Sequence, residues 1–321
     1  MSGRRRFYVV LATSVLLAAA FVPFSIAVLG VSYGYTVRVV ATGGALLGVI
    51  SGVLGSFAVL RRQSLLGDAL SHAALPGVGI AFLLAGRELA VLLLGAALAS
   101  WLGVLFIRAL TATTRIKQDT AMGIVLASWF AAGVAILALI QDRPDASQAG
   151  LDTFIFGQAA SMVASDLLLI AGVGAASFLV LGLFWKELKL HTFDAAFAES
   201  NGFSARLLNL LISTLMVVAI VLGLQLAGVV LMVGMLIAPG IAARQWTDRL
   251  DRMVVLAGVF GALAGSVGAV LSAVRADLPT GPMIILVAFS VVLVSLALAP
   301  GRGFVWTLFR RTRERRRWGM V

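Results

Sequence analysis

Apolar runs of about twenty residues recur along the whole chain, at about 8–29, 37–60, 65–84, 89–110, 119–141, 165–185, 207–224, 225–243, 253–274 and 282–299. A bilayer core about 30 Å thick is crossed by about 20 apolar residues in a helix. Ten such runs predict an all-α, polytopic membrane protein of nine or ten spans. The charge-free stretch 207–243 is too long for one crossing, so the chain is expected to turn near Gly223. The second half, 225–243, either spans or re-enters. Composition agrees: 61% of residues are hydrophobic, 12% are charged and the mean hydropathy is +1.05. A soluble domain is about 25% charged, so a soluble fold is excluded. Cysteine is absent, which removes disulfides and thiolate metal sites.

The net charge of +11 is strongly sided. With the N-terminus in the cytoplasm, 21 of the 25 basic residues fall on inside segments, leaving Arg38, Arg87, Arg143 and Arg275 outside. The positive-inside rule therefore predicts cytoplasmic N- and C-termini. The basic tail from Arg310 to Arg317 is read as an anchor on anionic lipid rather than a nucleic-acid patch. The whole chain reads as one transmembrane domain. An extra N-terminal helix occupies 1–36, a core 37–300 and a basic cytoplasmic tail 301–321. The first apolar run is too long for a signal-peptide core and is expected to be retained.

The third run carries the chemistry. It reads Gln63-Ser64-Leu65-Leu66-Gly67-Asp68-Ala69-Leu70-Ser71-His72-Ala73-Ala74-Leu75-Pro76-Gly77. Asp68 and His72 are four apart, hence one turn apart on one helical face. Ionisable groups inside a span are costly and tend to face a partner or a cavity. A carboxylate and an imidazole together suit Mn²⁺, Fe²⁺ or Zn²⁺, and Ser71 offers a weaker oxygen. The competing reading is a pair that only stitches the helix. Pro76 lacks an N–H and so frees the carbonyl of His72, while Gly77 leaves room for a close neighbour. Pro239, followed by Gly240, frees the carbonyl of Met235 in the same way. Met232 and Met235 read as packing residues rather than a copper site. Gln225 reads as a turn residue or an interhelical hydrogen bond, and His191 as a solvated surface residue.

No G-x-x-x-x-G-K-[ST] motif is present, so the chain has no phosphate-binding loop of its own. Pumped transport needs a separate ATPase or an ion gradient. In the inside loop, Asp194 is a good N-cap and Gly202 a good C-terminal stop for a short helix. Its aromatic residues Phe193 and Phe197 fit either a groove on a partner or the lipid interface.

The stretch from Leu60 to Gly77 closely resembles the signature of permease subunits of bacterial manganese, zinc and iron ABC importers, the ABC-3 family. The likeness runs from about 37 to 300 and takes in Trp185–Lys189, Phe193–Gly202 and Val233–Gly240. The resemblance implies a non-catalytic subunit in the bacterial cytoplasmic membrane. Two permeases, identical or paralogous, would pair with two cytoplasmic ABC ATPases and receive metal from an extracytoplasmic binding protein. No cofactor would be held permanently, and ATP would act only through the partner. Asp68 and His72 would lie in the metal path. Phe193, Asp194, Phe197, Glu199 and Gly202 would form the loop that docks on the ATPase, and Pro76, Gly77, Pro239 and Gly240 would serve kinks or gating. Gly150–Gln158 resembles the manganese-type branch, and the extra first helix with the basic tail resembles one member of an unlike permease pair. The alternative is a metal carrier coupled to protons or sodium.

Overall fold

The computed structural model describes residues 34–86, 88–141, 162–274, 278–300, 303–304 and 306. The expected first span at 8–29, the stretch 150–158, the tail 310–317 and the Gln225 side chain lie outside the described residues. No strand occurs among the described residues. The helices are α1 (Tyr35–Leu60), α2 (Ser64–Ala85), α3 (Leu89–Thr113), α4 (Gln118–Gln141), α5 (Ala164–Leu183), α6 (Trp185–Phe193), α7 (Ala195–Ser200), α8 (Ala205–Trp246), α9 (Leu250–Ser272) and α10 (Thr280–Leu298). Eight segments among the described residues are long and apolar enough to cross a membrane: α1 to α5, Ala205–Leu224 of α8, α9 and α10. They match eight of the expected spans.

In hydrocarbon every backbone polar group must be satisfied internally, which favours unbroken helices. Several hydroxyls are satisfied within their own span. Ser56, Ser71 and Ser266 donate to the carbonyls of Gly52, Gly67 and Ala262, each at 2.8 Å. Helices α1 and α9 pack along their length through small residues. A Cβ at Gly44 would sit 2.6 Å from the carbonyl oxygen of Gly265, and one at Gly48 would overlap that of Gly261. This is the close backbone approach that small residues at four-residue spacing allow. Helix α2 packs mainly on α3 and α4, and hardly touches α1 although the two are consecutive. Gly77 on α2 and Gly95 on α3 meet backbone to backbone.

The long run in α8 turns at Gly228 rather than near Gly223. Gly228 has φ 74° and ψ 173°, a region essentially confined to glycine. Gly223 and Met232 would be about 13.5 Å apart along a straight helix. Yet a Cβ on Gly223 would run into the Met232 side chain, so the second limb folds back on the first. The hydropathy pattern misplaced the turn because both glycines lie in uniformly apolar sequence. Substituting Gly228→Ala is expected to destabilise the protein by about 1–3 kcal/mol, because alanine must be forced into that backbone region. Thermal unfolding of the purified protein measures it; an unchanged melting temperature would show that the turn tolerates a side chain.

Two termini are built alike. At the end of α1, Gln63 N–H donates to Ala58 and Arg62 N–H to Val59, with Arg62 at φ 56°. After α7, Phe203 N–H donates to Ala198 and Gly202 N–H to Glu199, with Gly202 at φ 84°. Both are Schellman caps, which satisfy the last helical carbonyls through a left-handed residue.

Candidate functional site

Asp68 and His72 sit in the second and third turns of α2, close to the end that carries Arg61, Arg62 and Gln63. The Nε2 of His72 is 3.4 Å from Oδ1 of Asp68. That is ion-pair range but longer than a good hydrogen bond. The ring of Phe130 on α4 meets His72 edge-on, with centroids 5.0 Å apart. The His72 side chain is 19% exposed and that of Asp68 36%. The other ring nitrogen of His72, Nδ1, is buried and makes no hydrogen bond. The pair is thus loosely held, walled by an aromatic ring on one side and open on another.

The surroundings of the pair are rigid. Ser100 on α3 donates to the carbonyl of Leu70 at 2.9 Å. Gly133 on α4 faces Leu75 and Pro76 so closely that a Cβ there would meet both. Pro76 lies inside α2 without ending it, and Pro239 lies inside the second limb of α8. Gly240 packs against Ser56 and Val59 of α1. Ser71 is fully buried, and its hydroxyl is committed to the carbonyl of Gly67. Among the described residues no third His, Cys, Asp or Glu joins Asp68 and His72. The described residues of the chain therefore bring two ionisable donors together at this point.

The loop helices form as the spacing predicts. Asp194 caps α7 by accepting from the Phe197 N–H at 2.9 Å. Ala198 is fully buried, whereas Phe193 and Phe197 are 56% and 53% exposed. Glu199 is exposed, and its carbonyl accepts from Gly202 within the terminal cap. Two large aromatic side chains are thus exposed around the Asp194 cap, Phe193 at the end of α6 and Phe197 on α7.

His191 is not a solvated surface residue: it is 5% exposed. Its Nε2 lies 3.0 Å from Oδ1 of Asn209 on α8, and the same oxygen accepts from Arg61. The local sequence is polar, but α8 folds over it and supplies the partner. Lys189 on α6 pairs with Asp251 on α9 at 3.2 Å. Arg108 donates to the backbone carbonyl of Arg206 at 2.9 Å. Residues that charge counting put on one side of the membrane therefore gather at one end of the bundle.

A cavity of about 590 Å³ opens at this basic end. Arg61, Arg108, Arg206, Gln63, Gln118 and Asn209 contribute its polar lining. Burial, and after it the charge of Arg108, lower the Arg61 guanidinium to about 10. Sequence reasoning counted these arginines for orientation only. Their convergence depends on the ends of α1, α3 and α8 meeting in space, which no local pattern records.

A multi-pass helical bundle with an ionisable pair set into one span has the architecture of a membrane permease. The chain belongs to the ABC 3 transport family, which matches residues 32–299. It is 48% identical over 279 residues to the manganese transport system membrane protein MntC of Bacillus subtilis, covering 87% of this chain and 64% of that relative, just under two thirds of its length. It is also 48% identical over 280 residues to the zinc transport system membrane protein TroC of Treponema pallidum, covering 87% and 94% of the two chains. The fold is similar to PsaBC from Streptococcus pneumoniae, solved in complex with Fab, with a TM-score of 0.75 and 29% identity over 86% of this chain and 96% of that one. The protein is a multi-pass membrane protein of the bacterial plasma membrane.

Proposed function

We propose that this chain is the membrane subunit of an ATP-driven importer of a divalent metal cation, manganese in the first place, with zinc or iron as the alternatives. The observation that carries the reading is the Asp68–His72 pair. Metal–nitrogen and metal–oxygen bonds are about 2.0–2.2 Å long for zinc. With bonds of that length, donors 3.4 Å apart would subtend about 105° at a shared ion, an ordinary coordination angle. One carboxylate and one imidazole suit borderline and hard divalent ions alike. Two protein donors, completed by water, by carbonyls or by a second permease copy, bind loosely enough for onward passage, as conduction requires. The names of the relatives, one manganese and one zinc, support the class of cargo.

The basic end is the cytoplasmic end in this reading, by the positive-inside rule. An ABC ATPase would dock there on the α6–α7 junction, with Phe193 and Phe197 as the anchors, and hydrolyse the ATP. This chain itself is non-catalytic and holds no permanent cofactor. A metal-binding protein would deliver the ion at the opposite, extracytoplasmic end, and a second permease, identical or paralogous, would complete the pathway.

Reconstitution tests this directly. The chain with its ATPase, in proteoliposomes, should take up Mn²⁺ only with ATP and binding protein on the appropriate sides. Uptake by the chain alone, driven by a proton or sodium gradient, would sink the ATP-driven reading. The docking junction has its own test. A Phe193→Ala, Phe197→Ala double variant should keep its melting temperature, because both rings are more than half exposed. It should lose its ATPase in co-purification, since truncating a central aromatic anchor costs about 2 kcal/mol or more. Retained ATPase would remove the α6–α7 junction as the dock.

A further inference from the structure

The basic cavity is not explained by metal transport. Its three arginines come from the C-cap of α1, from α3 and from α8, and among the described residues no carboxylate is within ion-pair reach of any of them. Their polar contacts are to neutral oxygens: Arg61 to Asn209, and Arg108 to the Arg206 carbonyl. A cluster of like charges, one of them substantially buried, is costly unless an anion completes it. The lowered basicity of Arg61 is the expected signature of that unmet demand. The volume, about 590 Å³, is that of a small-molecule site.

The wall leading to the cavity narrows the ligand further. Leu94, Leu98, Leu102 and Phe106 of α3 are spaced four apart and are 63%, 63%, 55% and 41% exposed. This apolar stripe climbs one face of the helix and ends one turn short of Ala109 and Ala112, which line the cavity. Guanidinium groups bind phosphate oxygens through paired N–H donors. A cationic chamber at the end of an exposed apolar track has the form of a headgroup site with an acyl groove.

We propose that the chamber formed by Arg61, Arg108 and Arg206 binds a phosphate-bearing anion, the headgroup of an anionic phospholipid whose acyl chain lies along Leu94–Phe106. The site is made of residues other than those of the basic tail and of the Asp68–His72 pair. It ties the ends of α1, α3 and α8 together through the bound anion. Arg61 immediately precedes the turn into α2, so occupancy stiffens the support of the metal-bearing helix.

The test uses the purified full-length chain, stripped of lipid in neutral detergent. Thermal unfolding is followed with added phosphatidylglycerol, with phosphatidylcholine, and with inorganic phosphate against chloride at equal ionic strength. Phosphatidylglycerol is expected to raise the melting temperature by several degrees and phosphatidylcholine to do much less. An Arg108→Gln, Arg206→Gln double variant is expected to lose most of that shift, with the half-saturating lipid concentration rising tenfold or more. The tail is the same in both proteins, so its lipid binding cancels. An Arg108→Lys, Arg206→Lys variant keeps the charge and should retain part of the shift, which guards against a mere folding defect. Equal protection by inorganic phosphate would keep the anion site and replace the lipid with free phosphate. An equal response to phosphatidylcholine, or a full shift in the glutamine variant, would overturn the proposal.

Discussion

Asp68→Ala and His72→Ala are each expected to reduce metal uptake about a hundredfold, a loss of about 2.8 kcal/mol at 1.4 kcal/mol per tenfold. The reasoning is local. Each substitution removes one of only two ionisable donors found together among the described residues. Asp68 is partly open, so little packing is lost with it, whereas His72 is mostly buried and gives up its contact with the Phe130 ring as well. Asp68→Ala should therefore keep a near-wild-type melting temperature, as exposed substitutions usually change stability by about 0.5 kcal/mol or less, while His72→Ala should melt somewhat lower. Radiolabelled manganese uptake into proteoliposomes, beside the thermal melt, separates the two roles of the pair. A stitch between helical turns gives the reverse outcome: lower stability and normal uptake by the protein that remains folded.

The second large effect is on folding. Gly48→Leu should abolish accumulation of a monodisperse permease. A side chain at Gly48 would drive into the backbone of Gly261, and the partner there is a carbonyl that cannot rotate away. Overpacking a core costs about 1–3 kcal/mol and occasionally more. Here the whole α1–α9 contact must open, so the cost belongs at or above the top of that range. Gly123→Ala is the control: no atom lies within 4 Å of the added methyl, and alanine is the better helix former by about 1 kcal/mol. It should melt at the same temperature or slightly higher. Size-exclusion profiles of the two variants, expressed in parallel, decide the matter. A monodisperse Gly48→Leu protein with normal stability would mean that the two helices have slack.

The spans were legible because a bilayer imposes length and apolarity on each segment separately. Helices α1 to α4 begin and end within a few residues of the apolar runs. The capping of α7 was legible for a similar reason: Asp194 and Gly202 act on backbone groups only a few residues away. Features that depend on distant helices were not. The turn at Gly228 rests on one residue's backbone angles, and Gly223 advertises the same freedom in the same apolar setting. His191 looked solvated because Asn209, which buries and binds it, lies 18 residues further on and across a loop. The pairing of Asp68 with His72 followed from spacing, but the wall supplied by Phe130 comes from another helix and left no trace in that spacing.

The glycine-to-glycine contact of α1 with α9 also bears on how the molecule moves. Two backbones in such intimate register cannot slide or tilt independently, so they travel as one plank. The sheaf of α2, α3 and α4 is fastened internally by Gly77 with Gly95 and by Ser100 with Leu70. Between plank and sheaf, the consecutive helices α1 and α2 share little surface and meet at the turn through Arg61, Arg62 and Gln63. Under the proposed transport function this division sets Asp68 and His72 on the sheaf, close to the elbow, apart from the α1–α9 pair and joined to it mainly through α8.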